Sequence, residues 1–335
     1  MKRLSPFEAG LARAAGSAAS IAGRGGRGLL ILIYHRVLAT PDPLRSRTLC
    51  APDFAAQMDL VASCFNVLPL SEALARLASR SLPPRALSVT FDDGYADNLT
   101  VAAPIMRERG IRPTVFVATG YLDGGLMFND AITEAMRAAP LRLDLADLGL
   151  GLLELPDVIT RRAAIRRLVA ELKYRTAEER GPLADEIFHR AGAVPPRDLM
   201  LTTAQVQALR DGGVEIGAHT ATHPILTRLA PDAAREDIAR GRQELEGILG
   251  DPVRLFAYPN GRPGEDYDRR HVAIVRELGF NAALSTAWGA AHPGCDPFQV
   301  PRVAPWDNSP RRYAARLVKS YLQRSFARAA FEHPH

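Results

Sequence analysis

Seven short stretches of this chain are mostly apolar and rich in β-branched or aromatic residues: Leu29–Tyr34, Leu87–Phe91, Thr114–Ala118, Val214–Ala218, Arg254–Tyr258, Asn281–Ser285 and Phe298–Val303. Runs of this length without a polar face predict short buried strands. Between several of them the spacing becomes helical. It is clearest from about Asp232 to Leu249, where Ile238, Leu245 and Leu249 share a face and Gly250 suits the residue just past a helix end. Strands alternating with helices predict a parallel sheet, and seven strands predict a closed or nearly closed β/α barrel. In such barrels chemistry sits at the C-terminal strand ends, so the residues directly after each run are the candidates.

From about Leu122 to Met200 the alternation stops. Charged, helix-prone segments such as Ile165–Arg175 and Glu178–Arg190 predict a helical insertion at the barrel mouth, either a cover for the barrel edge or a lid that shapes the substrate site. The expected plan is an N-terminal tail over 1–28, disordered or loosely helical; a barrel over 29–310, interrupted at about 122–200; and a basic amphipathic helix and tail over 311–335. In that last segment Tyr313, Leu317, Tyr321 and Leu322 recur at helical spacing, with Arg311, Arg312, Arg316, Lys319, Arg324 and Arg328 between them. Such a helix either docks on the barrel with a solvated basic face or makes a peripheral contact with an anionic membrane.

With 335 residues, 47% hydrophobic and 24% charged, the chain has the balance of a soluble globular protein with a sizeable core. A net charge of +5 is too mild to argue for nucleic acid, and neither zinc-finger spacing nor a basic heptad run is present. Cys50, Cys64 and Cys295 form no CxxC pair, which fits a reducing compartment better than disulfide stapling. The Met-Lys-Arg start is not followed by a leucine-rich apolar stretch, and no run of 18 apolar residues exists. The expected location is the cytoplasm, or the inner face of the membrane.

Two of the predicted strands end in residues suited to chemistry. Leu87–Phe91 runs into Asp92-Asp93-Gly94-Tyr95, two adjacent carboxylates beside a glycine that permits a tight turn. Two crowded carboxylates repel; a divalent cation relieves this and leaves one free as a base. Such doublets also occur in surface turns, and carboxylate pairs serve phosphatases and nucleases as well. Val214–Ala218 runs into His219-Thr220-Ala221-Thr222-His223-Pro224, whose two histidines are spaced to bind one metal. Together, two histidines and a carboxylate make a facial ligand set with open positions for water and substrate.

Thr90-Phe91-Asp92-Asp93-Gly94 and His219-Thr220-Ala221-Thr222-His223 resemble the first two motifs of the polysaccharide deacetylase family, the NodB-homology carbohydrate esterases. The resemblance runs from roughly Leu29 to Pro305 and implies a distorted (β/α)7 barrel with one divalent metal, usually Zn2+, with Co2+ or Ni2+ as alternatives. It implies Asp92 as catalytic base, Asp93, His219 and His223 as ligands, and an N-acetylated glycan as substrate. Phe256-Ala257-Tyr258-Pro259-Asn260-Gly261 resembles the third motif, so Tyr258 and Asn260 are expected at the oxyanion, the backbone N–H of Asn260 as donor.

The chain departs from the family at three positions. Ala257 stands where many members have an arginine that tethers the base, Asn260 where they have an aromatic residue, and the strand end expected to carry a catalytic histidine reads Val300-Pro301-Arg302-Val303. Arg302 then either replaces the tether or is an ordinary surface arginine. His35, in Tyr34-His35-Arg36-Val37 at the end of the first strand, is expected to be the missing acid; this opening resembles a subgroup with permuted motifs. His189, His271, His292, His333 and His335 are expected to be solvated or structural. The rival readings are a catalytically inactive glycan-binding barrel, suggested by the altered motifs, and a metallophosphoesterase, against which stands the lack of a basic cluster for phosphate near the motifs.

Overall fold

The computed structural model describes residues 5–21, 27–307, 309–323 and 326–329. Six of the apolar runs form one parallel sheet in the order Leu29–Tyr34, Ala86–Phe91, Thr114–Val117, Glu215–Ala218, Leu255–Ala257 and Ala282–Leu284. A two-residue strand, Asn66–Val67, pairs beside the start of Ala86–Phe91. Every residue of Leu29–Tyr34 and Ala86–Phe91 is buried, as expected of strands with helices outside and a filled interior.

The seventh run does not become a strand. Within Phe298–Val303 only Val300 bridges to Leu284 and Val303 to Leu32. Pro301, between them, has no N–H to give a ladder, so pairing is reduced to single bridges. Those bridges still close the sheet: Val300 exchanges hydrogen bonds with Ala283 and Ser285 at 2.9 and 2.8 Å, and Val303 with Ile31 and Ile33 at 2.8 and 3.1 Å. The architecture is a distorted (β/α) barrel, closed by a stitch where the pattern predicts a stave.

The helix Pro231–Leu249 ends as expected, with Gly250 left-handed at φ 70°. Its glycine at 241 serves a close approach, because a Cβ there would lie 2.5 Å from the Thr220 carbonyl oxygen.

In the inserted region three helices, Phe128–Ala138, Val158–Lys173 and Ala177–Arg190, enclose an apolar cluster of their own around Ile132, Met136, Leu168, Leu172 and Ile187. An antiparallel hairpin, Arg142–Leu145 with Gly151–Glu154, completes it. Its alternation, with Leu143 and Leu145 buried and Arg142 and Asp144 exposed, is too short to stand out from the surrounding helical composition. Ion pairs join this region to the barrel. Arg45 contacts Asp130 at 2.7 Å and Glu134 at 2.8 Å, and the Tyr95 hydroxyl donates to Asp130 at 2.8 Å.

Near the N-terminus, Pro6–Ile21 forms a helix packed along the helix Pro310–Tyr321, with Ala9, Gly16, Ala19 and Ser20 buried. Tyr313, Leu317 and Tyr321 are buried against the barrel, the Tyr321 hydroxyl donating to the Ala86 carbonyl at 2.7 Å. Among the described residues no helix is long and apolar enough to cross a membrane. Arg324, His333 and His335 lie outside them.

Candidate active site

Asp92 and Asp93 share one pocket because the backbone turns between them. The Asp92 N–H continues the ladder by donating to the Tyr34 carbonyl at 2.9 Å, whereas Asp93 adopts φ 79°. Adjacent side chains that would face opposite ways in a strand therefore both approach His219 Nε2, at 3.9 and 3.4 Å. Asp92 is 2% exposed and receives both terminal nitrogens of the wholly buried Arg302 at 2.6 and 2.7 Å. Arg302 is itself fixed by the Ser285 carbonyl at 3.0 Å. Burial pushes the Asp92 carboxyl up, but the Arg302 charge, then His219 and His35, outweigh it and hold the group below its ordinary value.

The histidine loop is built with equal constraint. His219 N–H pairs with the Val117 carbonyl at 3.0 Å, and its Nδ1 faces the Ala257 carbonyl at 2.7 Å. A proton on Nδ1 then leaves Nε2 with its lone pair toward Asp93. Thr220 and His223 adopt φ 65° and 51°, costly for a β-branched residue above all, and the Thr220 hydroxyl accepts from the His223 N–H at 3.0 Å. Asp237, from the helix Pro231–Leu249, braces the turn by accepting from Ala221 N–H, Thr222 N–H and the Thr222 hydroxyl at 3.2, 3.2 and 2.8 Å.

Asp93 Oδ1 lies 3.4 Å from His219 Nε2 and 3.3 Å from His223 Nε2, and the three ligand atoms fall within 4.8 Å of one another. That oxygen is buried without a hydrogen-bond partner. Burial pushes the His223 imidazole down to about 4, so it is neutral at pH 7 and offers a lone pair. An orphaned carboxylate oxygen facing two ring nitrogens is the donor set a tetrahedral or octahedral divalent cation takes, and the residues fit that group.

The polysaccharide deacetylase family model matches residues 79–283, the segment that holds this constellation. The chain belongs to the polysaccharide deacetylase family. Members are hydrolases of N-acetyl amides. The chain is 20% identical over 265 residues to a curated Bacillus subtilis (strain 168) protein named as a putative polysaccharide deacetylase, YxkH; the alignment covers 78% of this chain and 66% of that protein. Solved structures of similar fold include the Streptococcus pyogenes deacetylase PplD in complex with acetate, with a TM-score of 0.59, 17% identity and coverage of 88% of this chain and 99% of that one. IcaB from Ammonifex degensii has a TM-score of 0.56 and 24% identity, covering 88% and 98%.

The remaining candidates divide. His35 is exposed at the end of Leu29–Tyr34, near enough for its charge to act on Asp92, Asp93 and His223. Asn260 adopts φ 57° in a turn whose carbonyl accepts the Thr286 hydroxyl at 2.8 Å; its own N–H meets no acceptor among the described residues. Tyr258 turns the other way. Its ring stacks on Tyr267 at 3.8 Å and its hydroxyl donates to the Phe298 carbonyl at 3.0 Å, so the side chain is part of the barrel wall. His271 is buried and caps its own helix, its Nδ1 accepting from the Asp268 N–H at 3.1 Å.

Sequence reasoning missed Asp237 and the Ala257 carbonyl. Asp237 left a trace: an acidic residue flanked by Ala234, Ile238 and Gly241 on the buried face of an amphipathic helix. A carbonyl leaves none. The cavity of about 870 Å³ lined by Val214, Leu255, Ala282 and Val300 opens at the strand starts, the opposite end from these residues.

Proposed function

We propose that the protein removes N-acetyl groups from an amino-sugar glycan, with one divalent metal held by Asp93, His219 and His223. The observation that carries this reading is the buried Asp92, gripped on both oxygens by Arg302 and 3.9 Å from a histidine of the candidate metal set. When bound, the cation, zinc by family resemblance, supplies a more acidic water and a polarised acetyl carbonyl. Asp92 takes the proton from the attacking water, and Arg302 keeps it ionised and oriented for that task. The free Asn260 N–H donates to the oxyanion. An amide nitrogen leaves only when protonated, and His35, directly after the strand that pairs with Ala86–Phe91, supplies that proton.

Acetate release from N-acetylated oligosaccharides by the purified protein, with and without chelator, tests the reading. Release that stops on chelation and returns with added metal is the expected result; glycan binding without release would establish the inactive barrel instead.

A peripheral membrane location is part of the proposal. Its support is the exposed Arg311, Arg312 and Lys319 on Pro310–Tyr321, beside exposed Phe7 and Leu11 on the neighbouring helix. Sedimentation with anionic liposomes, lost in a variant ending at Asn308, is expected.

A further inference from the structure

We infer that the deacetylase has an anion subsite beside its catalytic centre, in the cavity between the inserted helices and the His219–His223 loop, with Arg180 as its cation. The inference rests on the deacetylase reading and names the substrate class: a glycan that carries a carboxylate or phosphate close to the N-acetylated ring.

The cavity measures about 410 Å³, within the range of small-molecule sites. Tyr121 and Thr222 form its barrel side, and Leu126, Phe128, Arg180 and Phe188 its inserted side. Thr222 directly precedes the candidate ligand His223, and its carbonyl accepts the Tyr121 hydroxyl at 2.9 Å. The cavity therefore shares a wall with the metal set. The Tyr121 hydroxyl is within electrostatic reach of Arg180, Asp237 and Asp93.

Arg180 is the anomaly. It is 8% exposed and lies over the Phe128 ring at 4.5 Å. Among the described side chains it forms no ion pair, whereas Arg137, Arg142, Arg175 and Arg190 in the same region all pair with carboxylates. Asp185 lines the same cavity, yet no ion pair joins it to Arg180. Burial pulls the guanidinium below its ordinary value. A largely buried charge without a carboxylate partner leaves its lost hydration uncompensated, so a counter-charge entering the cavity would be attracted to it. The planar guanidinium matches the two oxygens of a carboxylate or phosphate, and Leu126, Phe128 and Phe188 offer apolar surface to a sugar ring.

The test uses full-length, metal-loaded protein, Arg180→Gln and Arg180→Lys, each checked for native circular dichroism. Acetate release is compared on a neutral N-acetylglucosamine oligomer, an N-acetylmuramic-acid oligomer carrying carboxylates, and a phosphate-linked N-acetylglucosamine. Calorimetry measures binding of N-acetylmuramic acid and N-acetylglucosamine 1-phosphate independently of turnover. The expected result is that one acidic ligand binds wild-type protein, that Arg180→Gln raises its KM and Kd at least tenfold more than the KM of the neutral oligomer, and that Arg180→Lys recovers part of the loss. Whichever acid responds identifies the group. Equal losses on neutral and acidic substrates, or no binding of either acidic ligand, would overturn the subsite. Binding through Arg180 without acetate release would preserve the subsite and sink the deacetylase reading.

Discussion

In the barrel the candidate residues Asp92, Asp93 and His219 lie at strand ends, buried and held from several directions; in the inserted region many charged groups, Arg180 excepted, lie on helix faces and tie one element to another. Asp92 is bonded through its own N–H and both carboxylate oxygens, and Arg302 reaches it across the closure of the sheet. The inserted helices instead enclose their own apolar cluster and meet the barrel through Arg45, Asp130 and Glu134. A group held at its backbone N–H and at both carboxylate oxygens keeps one geometry, which a proton transfer needs. A region with its own core can shift relative to its neighbour with little strain, which substrate entry and choice need. The two parts of the molecule should therefore respond differently to mutation.

The largest effects should come from the barrel. Asp92→Asn is expected to lower kcat by about 10³-fold or more while metal content by plasma emission spectrometry stays at wild-type level. Asp93→Ala and His219→Ala should lose the metal along with activity. Near-normal turnover in metal-replete Asp92→Asn would remove Asp92 as the base. His35→Ala should keep metal and lose on the order of 10²-fold in kcat, but much less on an activated ester whose leaving group needs no proton. An equal loss on both substrates would make His35 structural.

Arg302→Ala should cost roughly 10- to 150-fold, the scale of a lost charge-assisted hydrogen bond of about 1.5–3 kcal/mol. It also carries a pH signature. Asp92 must be ionised to act as base; burial raises its pKa, and the Arg302 charge is the strongest influence opposing burial. Without that charge the pKa rises, so the acid limb of kcat/KM moves to higher pH; an unmoved limb would show that Arg302 does not tune the base. The smallest effect on rate is expected from the other region. Asp130→Ala should destabilise the junction by about 2–3 kcal/mol and speed amide exchange in 128–190, yet leave metal content unchanged. Loss of metal from Asp130→Ala would erase the distinction between the two parts.

The candidate site was legible where a candidate residue lies at the end of an apolar run, because a strand end fixes both the position and the side of the barrel. Asp92, Asp93 and His219 fall in that class, His223 follows on the same loop, and their two motifs carried the family resemblance. Arg302 was reachable by a second route: with Ala257 in place of the usual arginine, the arginine after Val300-Pro301 was the available substitute, and the structure brings it onto Asp92. Tyr258 shows the limit, since the motif says which residue is present but not that Tyr267 and the Phe298 carbonyl engage its ring and hydroxyl. Asp237 and Gly241 belong to a helix whose period predicts burial, not the loop it meets. The run Phe298–Val303 was over-read for the reason that Pro301 makes plain.

The stitch at Val300 and Val303 also sets an order of assembly. A nascent chain leaves the ribosome N-terminus first, and Arg302 follows Asp92 by 210 positions, about 10–40 s at ordinary elongation rates. Through nearly all of that interval Leu29–Tyr34 is an uncapped sheet edge and the Asp92 carboxylate has no guanidinium. Ala291 then pairs only with Leu29, at the start of that edge; the residues that bond Ile31 and Ile33 and neutralise the carboxylate arrive together, within Val300–Val303. A chain halted before Val300 thus keeps two pairing-competent edges, and edge-to-edge aggregation is the outcome expected of it in translation-arrest experiments.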